Sequence, residues 1–254
     1  MRGTRNGFTL LELLVVIAII AVLVALLFPT ARGVYVAALE FQCENRIGEL
    51  AKITMAYCAA NDENFPPPCS AGAMPGSYKR GWLYGFVGSG GVANVDEGLF
   101  AKKKMLGSKT NLVCPVHVAN FQMEPGPVDA CKDAWVAYKT TQKAQAGRKY
   151  GTYPIVMSSY AMNDAVWTTP PGSLPRKRRD FSPTHLLFVE EHPTKSRYQD
   201  GSMLPSVDRD CIADHHHGGG YVACMGGQVF WMSTAEYNLT ITNTEQKTRR
   251  WDPM

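Results

Sequence analysis

No C-x-x-C pair occurs among the seven cysteines of this chain, which argues against a zinc knuckle or a thioredoxin-like site. There is no G-x-S-x-G elbow, no H-E-x-x-H pair and no P-loop. The usual signatures of serine hydrolysis, zinc proteolysis and nucleotide binding are therefore missing, and no enzyme is expected. Strong charge of either sign is missing too. A net charge of +4 and a pI near 8.6 are too weak to argue for nucleic acid. Acid is absent from the first seven residues, which carry only Arg2 and Arg5.

What is present begins with one long apolar run, Phe8 to Phe28. As a helix it measures about 31 Å, the thickness of a bilayer core. Basic residues before it favour a cytoplasmic amino terminus, with the rest outside. A secretory signal peptide fits poorly, because the run is too long for its apolar core and no small-x-small cleavage site closes it. A plain anchor helix explains all of it except Glu12, a carboxylate inside "GFTLLELLVVIAII". In hydrocarbon an ionised carboxylate costs several kcal/mol. Beyond Pro29, expected to kink or locally break the helix, apolar residues recur at Val34, Ala38, Phe41, Ile47, Leu50, Thr54 and Tyr57 with charges between them. That spacing predicts an amphipathic stem, ended by "NDENFPPP" at Asn61–Pro68.

The remaining length suffices for one globular domain or two small ones. It reads as mostly β. Strands are expected in "GWLYGFVG" (Gly81–Gly88), "NLVCPVH" (Asn111–His117), "YPIVMSSYAMN" (Tyr153–Asn163) and "THLLFVEE" (Thr184–Glu191), with a loop over Thr168–Asp180. The segment near Ala134 is ambiguous between strand and helix. Tyr221–Met225 and Gln228–Met232 read as a hairpin closed by a two-residue Gly226-Gly227 turn. In that register Cys224 faces Val229 and Ala223 faces Phe230.

An exported domain would favour disulfides. The pairings expected from sequence order are Cys58–Cys69, Cys114–Cys131 and Cys211–Cys224, leaving Cys43 over. "DHHHGG" at Asp214–Gly219 invites a metal at His216, which His192 and Glu190 or Glu191 could complete if the two strands are neighbours, with Asp210 and Asp214 as further candidates. Three histidines in extended chain alternate faces, so a solvated turn entry is preferred and no metal is expected. Asp208, Asp210 and Asp214 are loosely spaced oxygen donors for calcium, without an EF-hand pattern. The basic run Arg176–Arg179 reads as a solvated loop in preference to a patch for an acidic partner.

"GFTLLELLVVIAIIAVLVALLFP" resembles the prepilin signature of type IV pilins and type II secretion pseudopilins. The resemblance implies cleavage after Gly7 by a prepilin peptidase, N-methylation of Phe8, and an assembly role for Glu12, at the fifth mature position, and for Pro29. In a filament, Glu12 of one subunit would neutralise the new amine of the next, since a buried charge is tolerable when paired. The alternative partner is the amine of its own chain. Ala18, Ala21 and Ala25 would allow close helix approach.

The carboxyl half is similar in patches to bacterial pseudopilin-like proteins that carry a histidine, nine residues and Asp-Gly. Here His216 is followed at that spacing by Gly226-Gly227, and Tyr221 stands where Asn is frequent. The expected fold is α+β: a long N-terminal helix on a mainly antiparallel sheet. Its parts are a leader (1–7), a transmembrane assembly helix (8–28), an amphipathic stem (29–62) and a pilin-like domain (63–254). The implied function is a structural subunit of a type II secretion pseudopilus or pilus-like filament. It would sit single-pass in the inner membrane with its domain in the periplasm. Implied partners are itself, sibling pilins, a prepilin peptidase, an assembly ATPase and a platform protein. The rival is an anchored extracytoplasmic binding domain or enzyme that uses the helix only as a tether.

Overall fold

A computed structural model describes residues 9–68, 81–83, 85–87, 92–94, 98–107, 112–116, 158–167, 174–192, 201–203 and 211–251. Helix α1 runs from Leu10 to Ala59 without interruption. It passes Pro29 as helix, so of the expected kink or local break the break does not occur; what proline removes is the one N–H that would bond the Ala25 carbonyl. Two compact units divide the chain inside this helix: Met1–Phe41 and Gln42–Met254.

The second unit is built on five strands among the described residues. These are β3 (Tyr160–Asn163), β4 (Leu186–Glu190), β5 (Ser202–Met203), β6 (Gly219–Cys224) and β7 (Val229–Ser233), in the order β5-β3-β4-β6-β7. A separate two-stranded ribbon pairs β1 (Gly85–Val87) with β2 (Val92–Asn94). The α+β class holds, but the sheet is mixed, because β5 joins β3 in parallel. Its other neighbours are antiparallel. The pairing of β4 with β6 slips between Leu186 and Phe188. A bulge of this kind re-aims successive side chains, so Leu186 and Val189 enter one core together.

That core also takes Ala161, Val222, Cys224 and Met232, and is closed by Tyr237, Ile241 and Trp251. After the short helix α2 (Leu99–Lys102), helix α3 (Thr234–Thr242) supplies Tyr237 and Ile241, and Trp251 is the residue that follows α4 (Thr244–Arg250). Asn163 fastens this layer. Its buried amide donates to the Leu186 and Trp251 carbonyls at 2.8 and 2.9 Å. Phe188 and Glu190 alternate with Val189 and so face the opposite side, where Phe188 meets Trp82 edge-on at 5.1 Å.

The outer part of α1 covers that side with Cys43, Ile47, Leu50, Ala51, Thr54 and Cys58, all buried. The helical spacing was right, but the buried stripe begins at Cys43. Val34 and Phe41 are exposed. Gly48 lets α1 approach the sheet, since a β-carbon there would sit 3.2 Å from Val229.

The helix stops where expected, by a specific device. Cys58 O accepts from the N–H groups of Asn61 and Glu63 at 3.0 and 2.9 Å, and Asp62 and Glu63 are both left-handed. The basic run holds this turn. Arg178 pairs with Glu63 at 2.9 Å, Lys177 Nζ donates to the Asp62 carbonyl at 2.6 Å, and Phe65 N–H reaches Arg176 O at 3.3 Å. Arg176–Arg178 thus serve as an internal fastening as well as a solvated surface.

"NLVCPVH" is not a strand over Leu112–Val116, which forms tight turns. Pro115 cannot donate to a ladder, and the Cys114 N–H is taken by Ser159 Oγ at 2.9 Å. Tyr153–Met157, the segment near Ala134, Thr168–Ser173, Asn111 and His117 lie outside the described residues.

Candidate assembly helix and buried histidine cluster

Two places concentrate chemistry, one in each unit. In the first unit, large apolar side chains from Leu10 to Leu26 are exposed around the whole helix. A helix apolar all round is stable only inside a protein or a membrane. Glu12 is held at its start. Thr9 N–H and Thr9 Oγ1 both donate to Glu12 Oε2 at 2.8 Å, and Thr9 Oγ1 accepts from the Glu12 N–H at 3.3 Å. This is a capping box, in which an N-cap hydroxyl and a carboxylate three residues on exchange hydrogen bonds with each other's backbone N–H. Thr9 was missed in the sequence, although T-L-L-E ahead of an apolar run is its signature. Gly7 and Phe8 lie outside the described residues, so the amine partner proposed for Glu12 does too. Among the described residues no helix is long and apolar enough to cross a membrane. Within the run that reaches Phe28, the described side chains end at Leu26.

In the second unit the "DHHH" segment turns where an extended chain was expected. His216 and Gly219 exchange backbone hydrogen bonds at 3.1 and 3.2 Å. His217 (φ 54) and Gly218 (φ 83) between them are both left-handed. That is a two-residue I′ hairpin loop, and it brings two histidines to one carboxylate. His215 and His216 Nε2 lie 3.1 and 3.2 Å from Glu190 Oε1, while Tyr221 N–H donates to Glu190 Oε2 at 3.0 Å. Neither residue is a solvated turn entry: the His215 and His216 side chains are 2% and 1% exposed. His217, by contrast, faces water. Trp231 Nε1 donates to His216 O at 2.7 Å. The indole lies so close that a β-carbon on Gly219 would strike it and the Met232 carbonyl.

Burial alone would push the Glu190 carboxyl up. The hydrogen bonds and charge of the two histidines reverse this and bring it down to about 2. Glu190 is therefore an ionised, fully enclosed carboxylate.

A disulfide lies against this cluster. Cys43 on α1 is joined to Cys114, and Cys114 Sγ is 3.3 Å from His216 Nε2. The expected Cys114–Cys131 pairing is therefore corrected: the α1 stripe carries Cys43 directly to the Leu112–Val116 turn. Cys211 is not joined to Cys224 either; Cys224 lies in the Leu186 core, its Sγ 3.5 Å from Thr184 O. Cys58 is a buried thiol at the end of α1, and Cys69 and Cys131 lie outside the described residues. Of the proposed metal donors, His192 Nε2 pairs with Asp214 at 3.0 Å, and His216 belongs to the Glu190 cluster. Asp208 and Asp210 lie outside the described residues.

The Gly226-Gly227 hairpin keeps its place but not its register. Ala223 faces Val229 and Val222 faces Phe230. Cys224 and Gln228 close a three-residue loop with one positive φ, at Gly227, the type I turn plus left-handed residue of such loops. Gly226 is needed for proximity: its N–H bonds Pro183 O at 2.8 Å, and a β-carbon would sit 3.0 Å from Pro183.

A family model, the prokaryotic N-terminal methylation motif, matches residues 2–28. This supports a type IV pilin-like chain, processed and methylated at its amino terminus. No curated protein and no solved structure matches the chain.

Proposed function

We propose that this chain is a structural pilin-like subunit, and not an enzyme, that polymerises through its N-terminal helix into a type II secretion pseudopilus or a type IV pilus-like filament. The observation that carries this reading is the methylation motif at residues 2–28 on a helix whose apolar side chains are exposed on every side. In the precursor, Phe8–Phe28 crosses the inner membrane and the second unit lies in the periplasm. Cleavage after Gly7 leaves an amine at Phe8, and methylation keeps it basic. Packing against neighbouring helices, with Ala18, Ala21 and Ala25 at close contacts, then replaces lipid.

The Cys43–Cys114 disulfide fits an oxidising compartment. Glu12 has a self-contained partner in Thr9 before assembly and exchanges it for a neighbour's amine in the filament. That exchange keeps the carboxylate satisfied at both stages, as a charge in an apolar place must be. A mere tether has no use for it. The remaining partners are a prepilin peptidase, an assembly ATPase with its platform protein, and sibling pilins.

The test is the intact mass and N-terminal sequence of the chain from its native membrane, with and without the peptidase. A mature start at N-methyl-Phe8 is expected, and an uncleaved Met1 overturns the reading. Glu12→Ala should be cleaved normally yet be lost from filaments. Normal incorporation of that variant would return the helix to the role of a tether.

A further inference from the structure

We infer that Cys43, Cys114, His216 and Glu190 form a binding site for a zinc-class divalent ion when the Cys43–Cys114 bond is reduced, so that one cluster has two mutually exclusive closed states, metal-bound dithiol and disulfide. The ligand atoms of these four residues lie within 4.8 Å of one another, and all four residues are buried. Two sulfurs, one imidazole nitrogen and one carboxylate oxygen make a four-donor set suited to zinc. Tetrahedral zinc–sulfur geometry places the sulfurs about 3.8 Å apart, so opening the bond and drawing the donors slightly inward suffices.

The supports a metal site needs are also in place. Ligands are oriented by hydrogen bonds from a surrounding shell. Tyr221 N–H fixes Glu190 Oε2 and leaves Oε1 toward His216. Ser159 Oγ holds the Cys114 N–H, Trp231 holds the His216 carbonyl, and Tyr160 Oη donates to Cys43 O at 3.4 Å. His215 Nε2 lies 3.1 Å from the same Glu190 Oε1 and helps to fix its position. As a purely structural core this arrangement is costly. Enclosed charges are no more stabilising than apolar residues of the same shape, and the disulfide already ties α1 to the Leu112–Val116 turn.

The two states interconvert by a balanced exchange. An incoming small disulfide takes two electrons from the two thiolates. The Cys43–Cys114 bond forms, the incoming sulfur–sulfur bond breaks to two thiolates, and the ion leaves to solvent. A dithiol reductant drives the reverse; as the ion binds, the two cysteine protons are released and His216 Nε2 gives up the hydrogen it donates to Glu190, to solvent or to its own Nδ1.

The experiment uses the full chain in detergent and cobalt(II) as the probe. The chain is either reduced with a phosphine reductant or fully oxidised. The reduced chain should bind one cobalt per chain, with thiolate-to-metal charge transfer and the visible bands of tetrahedral cobalt, bleached by one equivalent of zinc. The oxidised chain should give neither. Cys58→Ser should bind as the wild type does, while His216→Gln and Glu190→Gln should each weaken binding at least tenfold. Their fold is checked by whether the Cys43–Cys114 bond still forms on oxidation.

A measurement on the wild type alone also decides. Zinc should slow alkylation of Cys43 and Cys114 at least tenfold in the reduced chain, read by peptide mass. Tetrahedral cobalt bands that survive in Cys43→Ser, or alkylation that zinc leaves unchanged, overturn the proposal.

Discussion

Between Leu10 and Leu26 the large apolar side chains left in the open are leucine, isoleucine and valine. Around the five-stranded sheet the side chains removed from water include Glu190, Glu191, His192 and His216. The two units of one chain thus invert the usual arrangement in opposite directions, and α1 belongs to both. The contrast teaches where each unit finds its stability. The second supplies its own partners: a carboxylate meets two imidazoles, an asparagine meets two carbonyls, and a cysteine on α1 meets Cys114. Among its described residues the first leaves its large apolar side chains exposed; on the function proposed above, lipid or other helices would bury them. Changes in the second unit should therefore register in folding, and changes in the first in assembly.

The largest folding effect expected is that of Cys114→Ser. The disulfide spans 71 residues, and closing a loop of that length restricts the unfolded chain by about 4 kcal/mol. Denaturant unfolding of the oxidised variant should show a loss of that order, and reducing the wild type should reproduce it. A loss under ~1 kcal/mol would mean that the sheet and α1 hold together without the bond, and the second unit would be less dependent on it than argued.

An alkaline window should come next. Burial, then the charge of Glu63, pushes the Cys58 thiol from 9.0 up to about 12, against the pull of Arg178. The unfolded thiol ionises first, so stability is intact below about pH 9 and drains away as the pH rises toward 12. Cys58→Ala should flatten part of this decline. The midpoint of thermal unfolding, followed from pH 8 to 11 in both chains, checks it, and parallel curves would remove Cys58 as the cause. At pH 8 the same thiol should resist alkylation while the chain is folded.

Most of what the sequence revealed lay in long patterns. A 50-residue helix, its end at Asn61 and an α+β domain followed from apolar spacing and a polar, proline-rich stop. The exposed apolar segment, with Glu12 inside it, was legible for the same reason. Glu190 was legible as a companion of the histidines once their strands were neighbours, as β4 and β6 are; what stayed hidden was one local event, the two left-handed residues His217 and Gly218 that turn and bury a segment periodicity alone reads as extended. The mate of Cys114 could not be read from sequence order, because the helix stripe set it. The C-terminal helices were missed although their caps are local. Ser233 accepts from the Glu236 N–H at 3.0 Å and Asn243 from the Gln246 N–H at 3.1 Å, and S-x-x-E ahead of an apolar residue announces the first of them.

That cap gives a smaller prediction. Ser233→Ala leaves a helix N–H at the start of α3 unsatisfied, at a cost of about 1 kcal/mol. Tyr237 and Ile241 bring α3 into the Leu186 core, so the loss should appear in global unfolding. Confinement to faster amide exchange in α3 alone would show that this helix frays independently of the sheet.

The smallest folding effect expected tests the comparison itself. Leu23 is 56% exposed, and alanine is at least as good a helix former as leucine. Leu23→Ala should therefore shift unfolding of the second unit by no more than about 0.5 kcal/mol, the range of surface substitutions. In a filament the same side chain would pack against a neighbouring helix, where lost contacts are felt as in any packed interior. Filament yield should fall while the unfolding curve stays in place. A loss of several kcal/mol in the isolated chain would mean that the helix already packs on its own second unit. The division between a self-sufficient domain and a helix that takes its burial from its surroundings would then fail.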